Sequence, residues 1–143
     1  MGLHPLPKYH FRVEWGGTQT AFMEVSGLSI ELAVIEHRDG SDPTQSTHKL
    51  PGLKKYSNII LKRALQKEDA ELFMWMESVT QSNGAFRRDL TITLLNEEHQ
   101  PVLGWRVRNA WPCKYEVASL NASSNEVLIE TIELAHEGIA MNS

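Results

Sequence analysis

The residues best suited to chemistry are six histidines and one cysteine, the side chains that most often hold metals or act as nucleophiles. The histidines lack the HExxH and HxH spacings of metal sites, and one cysteine cannot build a cysteine-based zinc site. Cys113 follows a proline in a strand-like segment, where a small packed residue is commoner than a nucleophile. We therefore predict no metal site and no cofactor, and interpret the histidines as solvated or strand-edge side chains: His4, His10, His37, His48, His99 and His136.

The remaining candidates for catalysis or binding are equally weak. Ser26 lies in VSGL, which is not the G-x-S-x-G turn of a serine nucleophile. Gly16-Gly17 lacks the spacing of a phosphate-binding loop. Carboxylates on strand faces and turns are interpreted as solvated. For one basic group a packing or subunit-interface role is favoured over nucleic-acid binding: Arg87, Arg88, Arg106, Arg108 and Lys114. The sequence therefore predicts a protein that is not an enzyme.

Length and composition set the class of protein. A chain of 143 residues with 41% hydrophobic residues predicts one globular domain, residues 1–143, with a substantial core. The net charge of −4 argues against nucleic-acid binding as the main task. The opening MGLHPLPKYHF has no apolar signal region, and no run approaches the roughly 18 apolar residues of a membrane span. We expect no membrane anchor, and the single cysteine favours a reducing cytoplasm.

Hydrophobic periodicity predicts the elements that would position any site. YHFRVEW alternates at period two, as expected for a half-buried strand. Residues 66–82 predict one helix, because Leu72, Trp75, Met76 and Val79 form an apolar stripe. Pro112 is expected to interrupt a strand, and a bulge is expected near Ile129–Glu130. The other predicted strands are 18–26, 29–38, 56–65, 87–96, 102–111, 114–120 and 125–138, a pattern that indicates a β-sandwich or barrel.

The stretch DGSDPTQSTHKLPGLKKYSN, residues 39–58, does not fit a compact domain easily. Loops longer than about 12–15 residues are uncommon unless they are functional or disordered. The strand before it, 29–38, is apolar on both faces, with Ile30 and Leu32 on one side and Ala33 and Ile35 on the other. Strands of this kind are usually covered on both faces. The pattern favours a protein built from copies, in which a neighbouring chain covers this region.

Several motifs in order resemble the T4-type tail tube family, the inner-tube proteins of contractile phage tails and phage-tail-like injection systems. The first half carries VEWGG, EVSGLSIELAVIEHRDG and KLPGLKKYSNIILKRAL. The second half carries LFMWMESV, RRDLTITLLNEE, GWRVRNAWPCKYEV and ASSNEVLIETIELAHEG. The similarity runs from about Pro7 to Gly138. Ala64 departs from the glycine expected at that turn.

The resemblance implies a mainly β fold, a two-sheet β-sandwich or barrel with one flanking helix and a long extended arm over about 39–55. It implies hexameric rings whose inner strands join into one continuous β-barrel, stacked as a hollow tube. The arm is expected to reach a neighbouring subunit through Asp42, Pro43, Leu50, Pro51, Gly52 and Leu53. A polar lumen lining is expected from the later strands, with Thr91, Thr93, Glu126 and Glu130 as candidates, and not from Arg106 and Arg108.

Partners follow from the same resemblance. We expect self-association, a surrounding sheath protein, baseplate or hub and terminator proteins, and DNA or effector protein as cargo in the lumen. Assembly would occur in the cytoplasm, and the finished particle could be extracellular after release. Three alternatives stay open: a tube-initiating protein at the baseplate, a secreted hexameric ring of the type VI kind, and a small β-barrel that binds a ligand or acts as an enzyme.

Overall fold

The computed structural model describes residues 10–38, 40, 47–81, 84–119 and 128–142. Within them the chain forms ten strands and one helix. In chain order these are β1 His10–Trp15, β2 Thr18–Phe22, β3 Glu24–Ser26, β4 Ile30–Arg38, β5 Thr47–Tyr56, β6 Ile59–Ala64, α1 Glu71–Gln81, β7 Arg88–Leu95, β8 Pro101–Ser119, β9 Leu128–Ala135 and β10 Gly138–Asn142.

Eight of the strands form one sheet that closes on itself. Its order is β2-β1-β7-β8-β9-β6-β3, with β10 also paired to β8. Strands β2 and β3 are separated only by Met23, whose N–H donates to the Lys62 carbonyl at 2.9 Å. The two ends of the path are therefore one nearly continuous strand, and the sheet is a closed barrel. The predicted mainly β fold with one flanking helix is confirmed.

The long strand β8 corrects one prediction. It runs without a break for 19 residues, so the expected interruption at Pro112 is wrong. The register with β9 shifts between Pro112 and Lys114, and a bulge is one of the few places where a sheet accepts a proline. A second irregularity lies at Asn109, whose φ is 52°. The irregularity at Asn109 lets Val107 and Ala110, three residues apart, both lie on the buried side of the barrel.

Alternate side chains of the barrel strands form one buried cluster, and α1 packs along β8 with its apolar side chains in the same cluster. Leu72 and Trp75 of the helix are buried, and Trp75 lies 5.8 Å from the Trp15 ring, centroid to centroid. The helix begins at Glu71 rather than at residue 66. The Asp69 carboxylate accepts the Glu71 N–H at 3.1 Å and so satisfies an amide of the first turn. The buried cluster is Val13, Trp15, Phe22, Ile59, Leu61, Leu72, Trp75, Leu90, Ile92, Val107, Ala110, Ile132 and Leu134.

A charged network is buried beside this cluster. Arg63 Nε donates to Glu130 Oε1 at 2.7 Å, and both side chains are almost completely buried. The other Glu130 oxygen accepts the Tyr115 hydroxyl, and Arg63 Nη1 donates to Asp69 Oδ2 at 3.1 Å. Burial, and after it the neighbouring Glu130 carboxylate, raises the pKa of Tyr115. The network ties β6, β8 and β9 to the segment that leads into the helix.

Replacing Asp69 should reveal this link. The N–H of Glu71, and to a smaller extent the Arg63 guanidinium, holds the pKa of Asp69 below its ordinary value. Asp69→Ala should lower the free energy of unfolding by about 1–2 kcal/mol at pH 7, the usual effect of losing such a cap. Asp69→Asn, which keeps an acceptor oxygen, should cost less. Urea denaturation of the three proteins measures both effects.

The pH dependence of the same variants has a defined sign. A carboxylate with a lowered folded-state pKa stabilises the fold above its unfolded pKa of about 4. That contribution is lost as the pH falls through the lowered value of Asp69. The difference in unfolding free energy between wild type and Asp69→Asn should therefore shrink at low pH. A constant difference from pH 7 to pH 2 would contradict the electrostatic part of this assignment.

Candidate functional site

The most exposed part of the molecule is a β-hairpin formed by strands β4 and β5. We call it the projecting hairpin. The two strands pair antiparallel, from Ile30 opposite Tyr56 to Arg38 opposite Thr47. They form a sheet of their own, and every residue of β4 is exposed. Residues 47–55 of the predicted arm are thus strand. The projecting element begins at Ile30 rather than at residue 39. An isolated two-stranded hairpin is marginal in water.

Pro51 and Gly52, two residues of the predicted arm, lie inside β5 and form no turn. Leu32 pairs with Lys54 and Val34 pairs with Pro51, so the register shifts between these two positions. Gly52 therefore lies at a β-bulge in β5. A Cβ added at Gly52 would lie 3.0 Å from the Ile35 side chain and 3.1 Å from the Ala33 carbonyl. Glycine at this position is therefore favoured by the close approach of the two strands rather than by a change of chain direction.

The projecting hairpin carries an unusual load of exposed apolar side chains. Of thirteen large apolar residues exposed in the described part of the chain, six lie on it. Val34 is 65% exposed and Leu53 is 86% exposed. Large exposed apolar surface often marks interaction sites in soluble proteins. The six are Ile30, Leu32, Val34, Ile35, Leu50 and Leu53.

Both outer edges of the projecting hairpin are free of strand partners among the described residues. Unpaired edges offer backbone N–H and C=O groups to another chain. The hairpin can therefore bind through its apolar faces and through its edges. Two residues assigned to the predicted arm, Asp42 and Pro43, lie outside the described residues.

The candidate lumen residues do not share one environment. Glu130 is 0% exposed and belongs to the buried network, and Thr93 is 7% exposed. The expectation that these two side chains line an open channel is therefore wrong. Thr91 is half-buried on β7, and Glu126 lies outside the described residues. Sequence alternation could not separate them, because the polar partner that draws Glu130 inward is 67 residues away.

The remaining candidates show no arrangement suited to catalysis. Cys113 is exposed as a residue, but partial desolvation of its thiol and the nearby Glu133 carboxylate raise the pKa of the thiol, the opposite of thiol activation. Arg106 and Arg108 flank a shallow, open cavity formed by β7, β8 and β10. Across the described ranges no cluster of three or more metal-ligating side chains occurs. No helix in this part of the chain is long and apolar enough to cross a membrane.

Arg88 shows how the helix is held against the barrel. Its guanidinium lies 5.2 Å from the Trp15 ring and 4.5 Å from the Trp75 ring, measured to the centroids. Desolvation lowers the pKa of Arg88. Such contacts between cation and aromatic ring stabilise packing. Arg88 therefore has a packing role. The sequence favoured a packing or subunit-interface role for the basic group to which it belongs.

Comparison with known structures agrees with this architecture. A chain of the cryo-EM structure of an extracellular contractile injection system, the PVC sheath-tube complex in the extended state, is 32% identical, with TM-score 0.80. The match covers 98% of this chain and 93% of that one. A chain of the anti-feeding prophage cap structure is 29% identical with TM-score 0.80, covering 100% of this chain and 94% of that one.

More distant structures share the fold. Hcp1 from Flavobacterium johnsoniae is 18% identical with TM-score 0.58, and the match covers 93% of this chain and 94% of that one. No curated protein matches the sequence. The profile of the family described as T4-like virus tail tube protein gp19 matches residues 7–140. The chain therefore belongs to the T4-like virus tail tube protein family, as the motifs in its sequence predicted.

Proposed function

We propose that this protein is the repeating subunit of a hollow tube, made of hexameric rings stacked end to end, inside a contractile injection particle. The observation that carries the proposal is the projecting hairpin, which displays six large apolar side chains that no other described residue covers. A closed barrel with such a projection suits a subunit whose neighbours complete the burial. Membership of the tail tube family supports the same role.

Contact between copies is proposed to run through the projecting hairpin. Leu50 and Leu53, with Val34 and Ile35, lie on a neighbouring subunit of the same or the adjacent ring. Each leucine contributes about 1.5–3 kcal/mol if it becomes fully buried there. Inner strands of successive subunits continue one barrel around the lumen, and Thr91 remains a candidate for its lining. The rings require large interfaces, as obligate assemblies do.

The proposed partners are a sheath around the tube, baseplate or hub proteins at one end and a terminator at the other. The similarity to chains of a sheath-tube complex and of a sheath/tube terminator structure, each 32% identical, supports this assignment. The lumen conducts DNA or an effector protein when the sheath contracts. Subunits assemble in the cytoplasm, and the finished particle acts outside the producing cell.

The proposed role needs no catalysis. A tube that conducts cargo needs only a rigid, closed wall and a lumen surface that does not bind the cargo tightly. The surroundings of Cys113 raise the pKa of its thiol and so disfavour a role as a nucleophile. We propose accordingly that the protein is not an enzyme.

Purified protein should form rings or tubes with sixfold symmetry at high concentration or when seeded on baseplates. Negative-stain microscopy and light scattering measure this, together with microscopy of particles from the producing cell. Closed rings that never stack would favour the secreted type VI-like ring. Protein found only at one end of the particle's tube would favour the tube-initiating role. A monomer at all concentrations that is also missing from isolated particles would overturn the proposal.

A further inference from the structure

The projecting hairpin meets the barrel through two short linkers, residues 27–29 and 57–58. These linkers touch each other: a Cβ added at Gly27 would lie 2.0 Å from the Asn58 carbonyl oxygen. Gly27 also has a φ of 90°, a conformation that side chains disfavour. The two linkers therefore pass each other at a fixed and very close separation. Any rotation of the hairpin relative to the barrel must therefore occur at the point where these two linkers are in contact.

Side-chain hydrogen bonds surround the crossing. Ser29 Oγ donates to Ser57 Oγ at 2.7 Å, and Asn58 Nδ2 donates to Glu133 Oε2 at 2.8 Å. His136, in the short break between β9 and β10, places Nε2 2.8 Å from the Ser57 carbonyl oxygen. Five residues take part in these hydrogen bonds: Ser29, Ser57, Asn58, Glu133 and His136.

The hydrogen bonds of His136 define its tautomer. The N–H of Gly138 donates to Nδ1 at 3.2 Å, so Nδ1 carries no hydrogen. In a neutral imidazole the hydrogen is then on Nε2, which donates to the Ser57 carbonyl. The ring also packs on Tyr56, the last residue of β5, with centroids 5.5 Å apart. One side chain thus joins the barrel backbone to the exit of the hairpin.

We propose that His136 is a positioning residue that holds the projecting hairpin at a fixed angle to the barrel in the free subunit. The apolar faces of the hairpin are then already oriented when a second copy of the chain arrives. Preorganisation of this kind reduces the entropy lost on association. The identity of the partner rests on the proposed function, whereas the fixed angle does not.

Two conservative substitutions separate the contacts of His136. His136→Gln can place a donor near the former Nε2 and keep the bond to Ser57. His136→Asn can place an acceptor near the former Nδ1 and keep only the bond to Gly138. If the bond to Ser57 positions the hairpin, His136→Gln should behave like wild type, and His136→Asn should behave like His136→Ala. His10→Gln, at the exposed first residue of β1, is the control for loss of a histidine.

The angle is measured on isolated subunits by electron–electron double resonance. Spin labels are attached at Lys49→Cys on β5 and Glu97→Cys in the turn after β7, in a Cys113→Ser background. We expect a narrow distance distribution for the parent, His136→Gln and His10→Gln, and a broadened one for His136→Ala and His136→Asn. Loss of one hydrogen bond corresponds to a roughly five- to tenfold gain in alternative orientations. Equally narrow distributions for all five proteins would overturn the proposal.

Tube formation by the same variants tests the consequence. The two variants with broadened distributions should assemble more slowly or at higher concentration than His136→Gln, at equal thermal stability. Broadened distributions with unchanged assembly would overturn the role in preorganisation. If the parent stays monomeric at all concentrations and is also missing from isolated particles, the proposed function fails, yet the distance distributions still decide whether His136 positions the hairpin.

Discussion

Removing the projecting hairpin is expected to abolish tube assembly while leaving a folded, soluble barrel. The variant replaces residues 30–56 with a short Gly-Ser linker. Ser29 and Ser57 are already joined by a 2.7 Å hydrogen bond, so a short linker can close the gap without strain. Closing a short surface loop costs little free energy. The hairpin supplies none of the residues of the buried cluster, so the core stays intact.

Assembly should fail because the deletion removes six large exposed apolar side chains from the proposed contact surface. Each contributes about 1.5–3 kcal/mol if fully buried by a neighbour. Losing all six should therefore remove most of the free energy that stabilises the contact between subunits. Circular dichroism melting reports the fold, and electron microscopy reports the tubes. Deleting only residues 41–53 would be a poorer test, because it would remove most of β5 and leave β4 without a partner.

A single substitution gives a gentler version of this experiment. Val34→Asp introduces a charge at the centre of the hairpin, and Val102→Asp introduces the same charge at an exposed valine of the barrel. We expect the first to block assembly and the second to allow it. Equal loss with both, or normal tubes from the hairpin deletion, would show that the hairpin is not the principal contact. A deletion variant that cannot fold would show that the hairpin stabilises its own subunit.

Substitution of Glu130 is expected to be the most damaging single change to the fold. Glu130→Ala leaves Arg63 buried without its closest counter-ion, and the Tyr115 hydroxyl loses its acceptor. Removing one partner of a buried ion pair usually costs about 3–5 kcal/mol. Urea denaturation should therefore show a large fall in the free energy of unfolding. Such a loss is a large share of the stability of a domain this size.

A double variant and a surface control decide whether the charge pair is the cause. Arg63→Met combined with Glu130→Leu removes both charges and keeps apolar volume, so it should be more stable than Glu130→Ala alone. The control is Glu24→Ala, which breaks an exposed pair with Lys62, the residue next to Arg63. Exposed pairs of this kind contribute at most about 1 kcal/mol. If Glu130→Ala were as mild as Glu24→Ala, the buried network would not stabilise the fold.

The sequence by itself determined the class of the fold and the family. Alternation along YHFRVEW and RRDLTITLLN depends only on neighbouring residues, since successive side chains of a strand point to opposite faces. The stripe of Leu72 and Trp75 predicted the helix for the same local reason. The apolar residues on both faces of 29–38 indicated a strand that its own chain does not cover, and the whole of β4 is exposed.

Only the tertiary structure decided which residues meet. The continuity of β8 through Pro112 depends on a bulge opposite β9, and residues 47–56 become a strand only because β4 lies beside them. The sequence predicted an outward-facing Glu130, but its ion pair with Arg63 buries it. The sequence predicted a solvated or strand-edge His136, but its ring nitrogen lies within hydrogen-bond distance of the Ser57 carbonyl, 79 residues away. Strand alternation is a property of the local chain. Register, bulges and the pairing of distant polar groups arise only when the barrel closes, and no local pattern encodes them.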